Sequence, residues 1–131
     1  MEPGIVNEVS WVVEERHLAS TLGSGLAAVF ATPMLVALCE DAASQGVAPH
    51  LAAGQQTVGT WIGIRHLAAT PPGMRVTARA RLVEVDRRRL RFEFEAWDEV
   101  EKIGEGEHER FIIDAATFEA RIAEKARQVK S

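Results

Sequence analysis

The sequence predicts an α+β fold in which a curved antiparallel sheet wraps around one long, buried helix. A helix over residues 33–48 is apolar around most of its circumference, which is typical of a helix inside a core. Four strand candidates follow it, and the short turns between them predict antiparallel hairpins. The chain of 131 residues, with 47% hydrophobic and 26% charged residues, is long enough for one globular domain over 1–131.

Charge and cysteine content exclude several classes of protein. The net charge of −4 argues against nucleic acid as the main partner, since phosphate binding needs a basic field. A single cysteine, Cys39, excludes an internal disulfide framework, and the histidines lack metal-ligand spacing. No apolar run approaches the roughly 20 residues of a membrane helix, and the N-terminus shows no export signal. We therefore expect a cytoplasmic protein without metal, separate cofactor, membrane or nucleic acid.

The elements before the sheet follow from local patterns. Residues 5–14 are rich in valine and alternate loosely, which predicts a first strand. Residues 17–29 are small, polar and glycine-containing, which predicts a loop. We expect Thr32 to cap the buried helix and Pro33 to occupy its first position, and Pro49 marks the end of the helix.

Four strand candidates follow a linker at residues 49–56. Their ranges are 57–69, 75–85, 90–97 and 103–113. The third alternates most regularly, with Leu90, Phe92 and Phe94 placed between charged residues, as in a half-buried strand. Apolar residues at helical spacing from Phe118 to Val129 then predict an amphipathic C-terminal helix.

A carboxylate stands in the middle of the apolar helix. A buried and unpaired carboxylate is costly, so a buried Glu40 would suit a general base or a nucleophile. The alternative is that Glu40 and Asp41 mark the one solvated stripe of the helix. The residues alone leave both interpretations open. Cys39, beside Glu40, is interpreted as a packing residue.

Two further polar residues stand out. His66 is in phase with the apolar Ile62 and Ile64 of the first strand candidate after the helix. There it is either a satisfied core residue or, beside another titratable group, a catalyst. Helix capping alone explains Thr32.

The last strand candidate and a set of arginines each have two interpretations. Gly104 and Gly106 favour a bulge or a close approach of two backbones. His108 and Arg110 share one strand face, either at a solvated edge with charge pairs or in a site. The other arginines either bind the phosphates of a nucleotide-bearing ligand or belong to a solvated sheet face. They are Arg75, Arg79, Arg81, Arg87, Arg88 and Arg89.

Three motifs occur in order along the chain. The first is VFATP at residues 29–33, with Glu40 eight residues after its threonine. The second is IRHLAATPPG at 64–73, and the third is GxGxHxR at 104–110. In this order they resemble the fluoroacetyl-CoA thioesterase-like family, and the resemblance covers nearly the whole chain.

The resemblance implies a hotdog fold, a dimer as the minimum functional unit, and hydrolysis of an acyl-CoA thioester in which CoA is part of the substrate. It carries the catalytic roles over to Thr32, Glu40 and His66. Glu40 is expected to attack the carbonyl or to activate water, and His66 to protonate the leaving sulfur or orient the nucleophile. Thr32 is expected to fix Glu40 or help polarise the carbonyl. In hotdog enzymes the site lies at the dimer interface, so His66 and Glu40 can come from different chains.

The substrate is less well defined by these motifs. Candidate substrate-binding residues are Phe30, Gly59, His108 and Arg110. Residues 24–28 are small and glycine-bearing, whereas the fluoroacetyl-specific type carries a bulkier, aromatic-containing segment there. We therefore expect a small or medium acyl group other than fluoroacetyl. The alternative function is a non-catalytic module that binds acyl-CoA or another small ligand, and a hydratase is disfavoured because its closely spaced Asp and His are not found.

Overall fold

The structure is a computed structural model that describes residues 1–129, so the last two residues of the predicted 1–131 domain lie outside the described part. The strands are β1 (Val6–Val12), β2 (Gln55–His66), β3 (Arg75–Asp86), β4 (Arg89–Trp97) and β5 (Lys102–Asp114). The helices are α1 (Ala19–Leu22), α2 (Thr32–Val47) and α3 (Ala115–Arg127). All strand pairs are antiparallel, and the sheet order is β1-β3-β4-β5-β2. The predicted α+β class is confirmed.

The core lies between α2 and the inner face of the sheet. Alternate residues of β3 and β4 point inward and are buried, as the two-residue period requires. The buried side chains of the helix and these strands are Leu35, Leu38, Cys39, Ala42, Ala43, Val47, Val76, Ala78, Ala80, Leu82, Leu90, Phe92, Phe94 and Ala96. Each fully buried leucine contributes roughly 2 kcal/mol. The predicted burial of the helix is confirmed for the residues that face the sheet, whereas Met34, Val36 and Ala37 are only partly buried. None of the described helices has the length and apolar character needed to cross a membrane.

The predicted loop at 17–29 is wrong in part. Residues Glu15–His17 form a 3-10 helix and Ala19–Leu22 form α1. The short helix ends at Gly23, whose φ of 78° is the left-handed conformation that glycine adopts without steric cost. A four-residue helix is too short for a periodic pattern, which is why composition alone suggested a loop.

Two arginines of β3, Arg79 and Arg81, lie on the outer face of the sheet and pair with carboxylates. Arg79 lies 2.7 Å from Glu8, and Arg81 lies 3.0 Å from Glu93. These four side chains are each about half exposed, where an ion pair contributes little to stability. The geometry therefore favours a solvated sheet face over a phosphate site for them.

The two edges of the sheet are β1 and β2. β2 pairs with β5 along its whole length, from Gln55↔Asp114 to His66↔Gly104, and the register shifts between Gly59 and Trp61. On its other side, no described strand pairs with β2. The close backbone approach predicted for the last strand is confirmed at Gly106, where a β-carbon would overlap the carbonyl of Gly63. The predicted bulge is confirmed as well, since the pairing of β4 with β5 shifts register between Ala96↔Gly104 and Trp97↔Lys102, beside Gly104.

Candidate active site

The start of α2 brings Thr32 to His66. Ala31 is the N-cap residue, Thr32 is the first helical residue, and the cap has no side-chain hydrogen bond. The prediction that Thr32 caps the helix is therefore wrong. The Thr32 hydroxyl Oγ1 lies 2.7 Å from Nδ1 of His66, so it forms a hydrogen bond with a side chain at the end of β2 instead of with the helix.

His66 is held by Thr32 on one ring nitrogen only. The other ring nitrogen, Nε2, is buried and has no hydrogen-bond partner among the described residues. Burial lowers the pKa of His66, and the main chain of Ala68 opposes that shift only in part. A buried nitrogen without a partner is energetically costly. His66 is therefore not the fully satisfied core histidine of the simpler interpretation; it is a neutral imidazole with one free position.

Thr32 and His66 border a cavity of about 410 Å³. This volume is within the range of small-molecule sites. Phe30 belongs to the wall of the cavity, where it is fully buried and packs edge-to-face on His17. The other lining residues are Ala19, Ser24, Val29, Ala31, Leu67, Ala68 and Ala69. A larger depression of about 1070 Å³ lies elsewhere; Arg79 and Arg81 line it, but none of the predicted catalytic or substrate-binding residues does.

A second group of polar residues surrounds Glu40, in the middle of α2. Oε2 of Glu40 lies 3.4 Å from Nη1 of Arg110, at the long limit of a hydrogen bond. Arg110 is buried, and its Nε and Nη2 donate to the hydroxyl and the carbonyl of Thr57 at 2.8 and 2.9 Å. The Glu40 side chain is 39% exposed, so it is neither wholly buried nor only a solvated stripe. It is a half-exposed carboxylate facing a fixed cation.

His108 is a buried hydrogen-bond partner of Arg110. It is 2% exposed, and its Nδ1 donates to the carbonyl of Trp61 at 2.8 Å. That bond leaves Nε2 as an acceptor for Nη1 of Arg110 at 3.3 Å. Burial lowers the pKa of His108, although the bond to the Trp61 carbonyl opposes the shift, and His108 stays neutral. His108 and Arg110 do share one strand face, as predicted, but the solvated-edge interpretation is wrong because both are buried.

The candidate residues thus form two groups on one chain. Gly59 lies directly against the carboxylate of Glu40 and so belongs with Arg110 and His108. Thr32 and His66 form the other group. Eight residues of helix separate Thr32 from Glu40, which is about 12 Å along the axis. Within residues 1–129, no hydrogen bond or ion pair joins the two groups.

Two contributors to the site went unnoticed in the sequence. Thr57 fixes the Arg110 guanidinium through two atoms, and the Trp61 carbonyl sets the tautomer of His108. A threonine near the start of a strand and a main-chain carbonyl carry no distinctive signal.

Cys39 lies next to Glu40 in the chain but has a different environment. It is 1% exposed, and burial raises the pKa of its thiol to about 12, with a smaller contribution from Glu40. A protonated and inaccessible thiol is a packing residue. The described residues also contain no cluster of three or more His, Cys, Asp or Glu side chains that could hold a metal ion.

Comparison with known proteins identifies the family of the chain. Residues 13–116 match the family model described as fluoroacetyl-CoA-specific thioesterase. The fluoroacetyl-CoA thioesterase of Streptantibioticus cattleyicolor is 44% identical over 97 residues, which are 74% of this chain and 70% of that protein.

Solved structures extend the similarity to the fold. A variant of the fluoroacetyl-CoA thioesterase FlK in complex with acetyl-CoA is 36% identical, with a TM-score of 0.91 over 95% of this chain and 98% of that one. A thioesterase superfamily member from Thermus thermophilus is 29% identical, with a TM-score of 0.90 over 97% and 94% of the two chains. The predicted hotdog fold is thereby confirmed. The chain belongs to the fluoroacetyl-CoA-specific thioesterase family and is a thioester hydrolase.

Proposed function

We propose that the chain hydrolyses a small or medium acyl-CoA thioester with Thr32, Glu40 and His66, without a metal or a separate cofactor. The observation that carries this proposal is the state of His66. One of its ring nitrogens is bound to Thr32, the other is buried and unpaired, and the residue borders a cavity of suitable size. A neutral imidazole held in this way can orient a nucleophile or pass a proton to the leaving sulfur.

Glu40 supplies the carboxylate of the reaction. In one route it attacks the thioester carbonyl, the carbon–sulfur bond breaks, and CoA leaves as the thiol after taking up a proton. Water then hydrolyses the resulting anhydride. In the other route Glu40 takes a proton from water, which attacks the carbonyl directly. Trapping with hydroxylamine during turnover separates the routes, because only the anhydride route gives an activated Glu40 acyl group that can form a hydroxamate; label in Glu40 after a single turnover in ¹⁸O-labelled water would show the anhydride route with water attacking the Glu40 carbonyl carbon.

We propose that a second copy of the chain completes the site. The Glu40 group and the Thr32–His66 pair are apart on one chain, yet both adjoin β2, whose outer edge has no described strand partner. A two-fold axis beside β2 would pair it antiparallel with its copy. Such pairing brings the middle of one β2, at Gly59, toward the end of the other, at His66. Glu40 of one copy then faces Thr32 and His66 of the other.

The remaining candidates suit substrate binding. Gly59, His108 and Arg110 border the carboxylate of Glu40, and Phe30 forms part of the cavity wall. Residues 24–28, of which Ser24 lines the cavity, are mostly small, and Leu26 among them is fully exposed. This segment lacks bulky aromatic groups, which supports an acyl group other than fluoroacetyl.

Thiol release from a panel of acyl-CoA substrates tests the activity. The panel runs from acetyl and fluoroacetyl to long-chain and aryl thioesters. We expect turnover of small or medium substrates, its loss in Glu40→Gln, and its survival after treatment with a chelator. Asp41→Asn is the matched control, since Asp41 binds only Gln45 at the surface. Full turnover by folded Glu40→Gln would contradict the role of the carboxylate, and binding without turnover across the panel would favour the non-catalytic module.

Mixing two inactive variants tests the shared site. Glu40→Gln and His66→Asn are each expected to be inactive alone. If the site is shared, half of the dimers in an equal, re-equilibrated mixture are mixed, and each mixed dimer has one intact site, so about one quarter of the normal activity returns. If both groups act within one chain, no activity returns. Light scattering on the same samples is expected to give a mass of two chains or a multiple.

A further inference from the structure

The segment that follows His66 contains a buried threonine that neither the cavity nor the catalytic set uses. Thr70 is 0% exposed, and its hydroxyl donates to Oδ2 of Asp98 at 2.8 Å. Its main-chain carbonyl accepts the N–H of Phe30 at 2.8 Å. Thr70 therefore connects three segments: the end of β2, the residues that enter α2, and the turn between β4 and β5.

Asp98 is a rigid acceptor for this threonine. Its other oxygen, Oδ1, accepts the N–H groups of Val100 at 2.8 Å and of Glu101 at 2.9 Å. Burial by itself would raise the pKa of Asp98, but these main-chain bonds and the Thr70 hydroxyl hold it below its usual value. Asp98 is thus an ionised carboxylate fixed on the turn that joins β4 to β5.

Two hydrogen bonds join residues 30–32 to residues 66–70, so the two segments form a closed ring that includes Thr32 and His66. One arm runs from Phe30 to Thr32 and the other from His66 to Thr70. The Thr32–His66 bond closes the ring at one end, and the bond from Phe30 N–H to the Thr70 carbonyl closes it at the other. The distance between the arms is therefore set at Thr70, which the Asp98 carboxylate holds in place.

We infer that Thr70 and Asp98 are positioning residues that hold Thr32 and His66 in hydrogen-bonding register. The inference rests on the proposed roles of Thr32 and His66. Neither Thr70 nor Asp98 lines the cavity, so they act through the pair rather than on the substrate. Without the Thr70 hydroxyl, the His66 arm loses its side-chain anchor on the β4–β5 turn. A shift of about 1 Å in a reacting group is enough to reduce turnover up to about a hundredfold.

Two variants of Thr70 and one variant of a control threonine, Thr77, test the inference. Thr70→Val keeps the shape and removes the donor, whereas Thr70→Ser keeps the hydroxyl. We expect Thr70→Val to lower kcat about tenfold or more with KM changed less than threefold, and Thr70→Ser to restore most of the rate. Thr77→Val is the control, because the Thr77 hydroxyl also binds one side chain, Ser10, but on the exposed face of β1 and β3. It should leave kcat unchanged.

A second readout separates positioning from support of the fold. This readout is the pH at which kcat falls on acidification, which we expect to follow the protonation of His66. Loss of register in Thr70→Val should move that pH, whereas Thr77→Val should leave it unchanged. A lower melting temperature with normal kcat and an unmoved pH profile would overturn the inference. If Thr70→Val fails to fold, Asp98→Ala carries the same test, because alanine leaves the Thr70 hydroxyl without its acceptor, whereas the amide N–H of an asparagine could donate to the Thr70 oxygen and keep the connection.

Variants of the pair itself distinguish the two proposals. If His66→Asn loses turnover while Thr70→Val and Asp98→Ala keep it, only the positioning role fails. If folded His66→Asn keeps full turnover, the proposed role of His66 fails and the positioning role fails with it. The double variant Thr70→Val/Asp98→Ala should lose no more activity than Asp98→Ala alone, since both substitutions break the same connection.

Discussion

Oε2 of Glu40 lies only 2.7 Å from the point where a β-carbon at residue 59 would be, a space that the chain leaves open with Gly59. The same point is 3.4 Å from Nη1 of Arg110 and 3.4 Å from Cε1 of His108. The main chain of β2 therefore forms one wall around the carboxylate. Any side chain at position 59 would push the Glu40 carboxylate from its place beside Arg110.

Gly59→Ala is accordingly expected to impair catalysis more than folding. The atom in conflict is the end of a flexible side chain, so the fold can yield by moving the carboxylate several tenths of an ångström or more. We expect kcat to fall roughly tenfold and the melting temperature to change little. The neighbouring Thr60→Ala, which removes only a bond to Glu109, should leave kcat unchanged. Equal kcat in both variants would show that the exact position of Glu40 is unimportant.

Removal of Arg110 should cost more stability than removal of the Glu40 charge. Arg110→Met leaves the carbonyl of Thr57 and Nε2 of His108 buried without their donor, which costs about 2–4 kcal/mol. Glu40→Gln removes the charge of a side chain that is 39% exposed, and solvent screening limits its cost to below about 1 kcal/mol. Urea unfolding of both variants measures the difference. A larger loss in Glu40→Gln would mean that the carboxylate, not the Thr57 contacts, holds Arg110.

The stability of the fold should fall as the pH drops below about 6.5. Burial lowers the pKa values of His17, His66 and His108 below the value near 6.5 that each has in the unfolded chain. Between the folded and unfolded values, the unfolded chain binds more protons, so acid favours unfolding and the full stability is present only above 6.5. We expect the midpoint of urea unfolding to be lower at pH 5.5 than at pH 7.5.

Two substitutions check the source of that pH dependence. His17→Gln removes one of the three buried groups and should shrink the difference between the two midpoints. His50→Gln changes an exposed residue and should leave the difference as it is. A midpoint that rises on acidification would contradict the assignment of these histidines as neutral groups.

Cys39 should be unreactive in the folded protein. With a pKa of about 12, on the order of one thiol in ten thousand is ionised at pH 8, and the residue is 1% exposed. A disulfide reagent should therefore label the chain only after unfolding, and Cys39→Ala should keep its turnover. Rapid labelling of the folded chain, or loss of activity in that variant, would point to a nucleophilic thiol. The low reactivity also leaves thiol release by CoA free of background.

The patterns that revealed the fold are those that burial imposes on a single chain. The inward residues of β4 follow a period of 2.0 residues, and that prediction is confirmed. The apolar composition of α2 predicts a helix in the core, and the structure buries the face of α2 that meets the sheet. The bulge between Gly59 and Trp61 changes the register without changing composition, so no pattern signals it. The short helix α1 has too few residues to show a period.

The site was less predictable because its polar residues have partners that sequence does not display. Thr32 before a proline looks like a helix cap, and only the folded chain brings His66 to its hydroxyl. His108 and Arg110 alternate as inward residues do, but their burial is acceptable only because Thr57 and the Trp61 carbonyl satisfy them. The sequence pattern of one chain cannot show that Glu40 of one copy is proposed to meet His66 of the other.

The order of strands also governs when the site can form during folding. β2 carries Gly59 and His66 early in the chain, but its strand partner is β5, the last to be synthesised, and Gln55 pairs with Asp114. Pairings between such distant residues must first overcome the entropy of loop closure, so they form late. Arg110 reaches Glu40 only with β5 in place. We therefore expect a nascent chain that ends before residue 102 to hold all three proposed catalytic side chains without thioesterase activity.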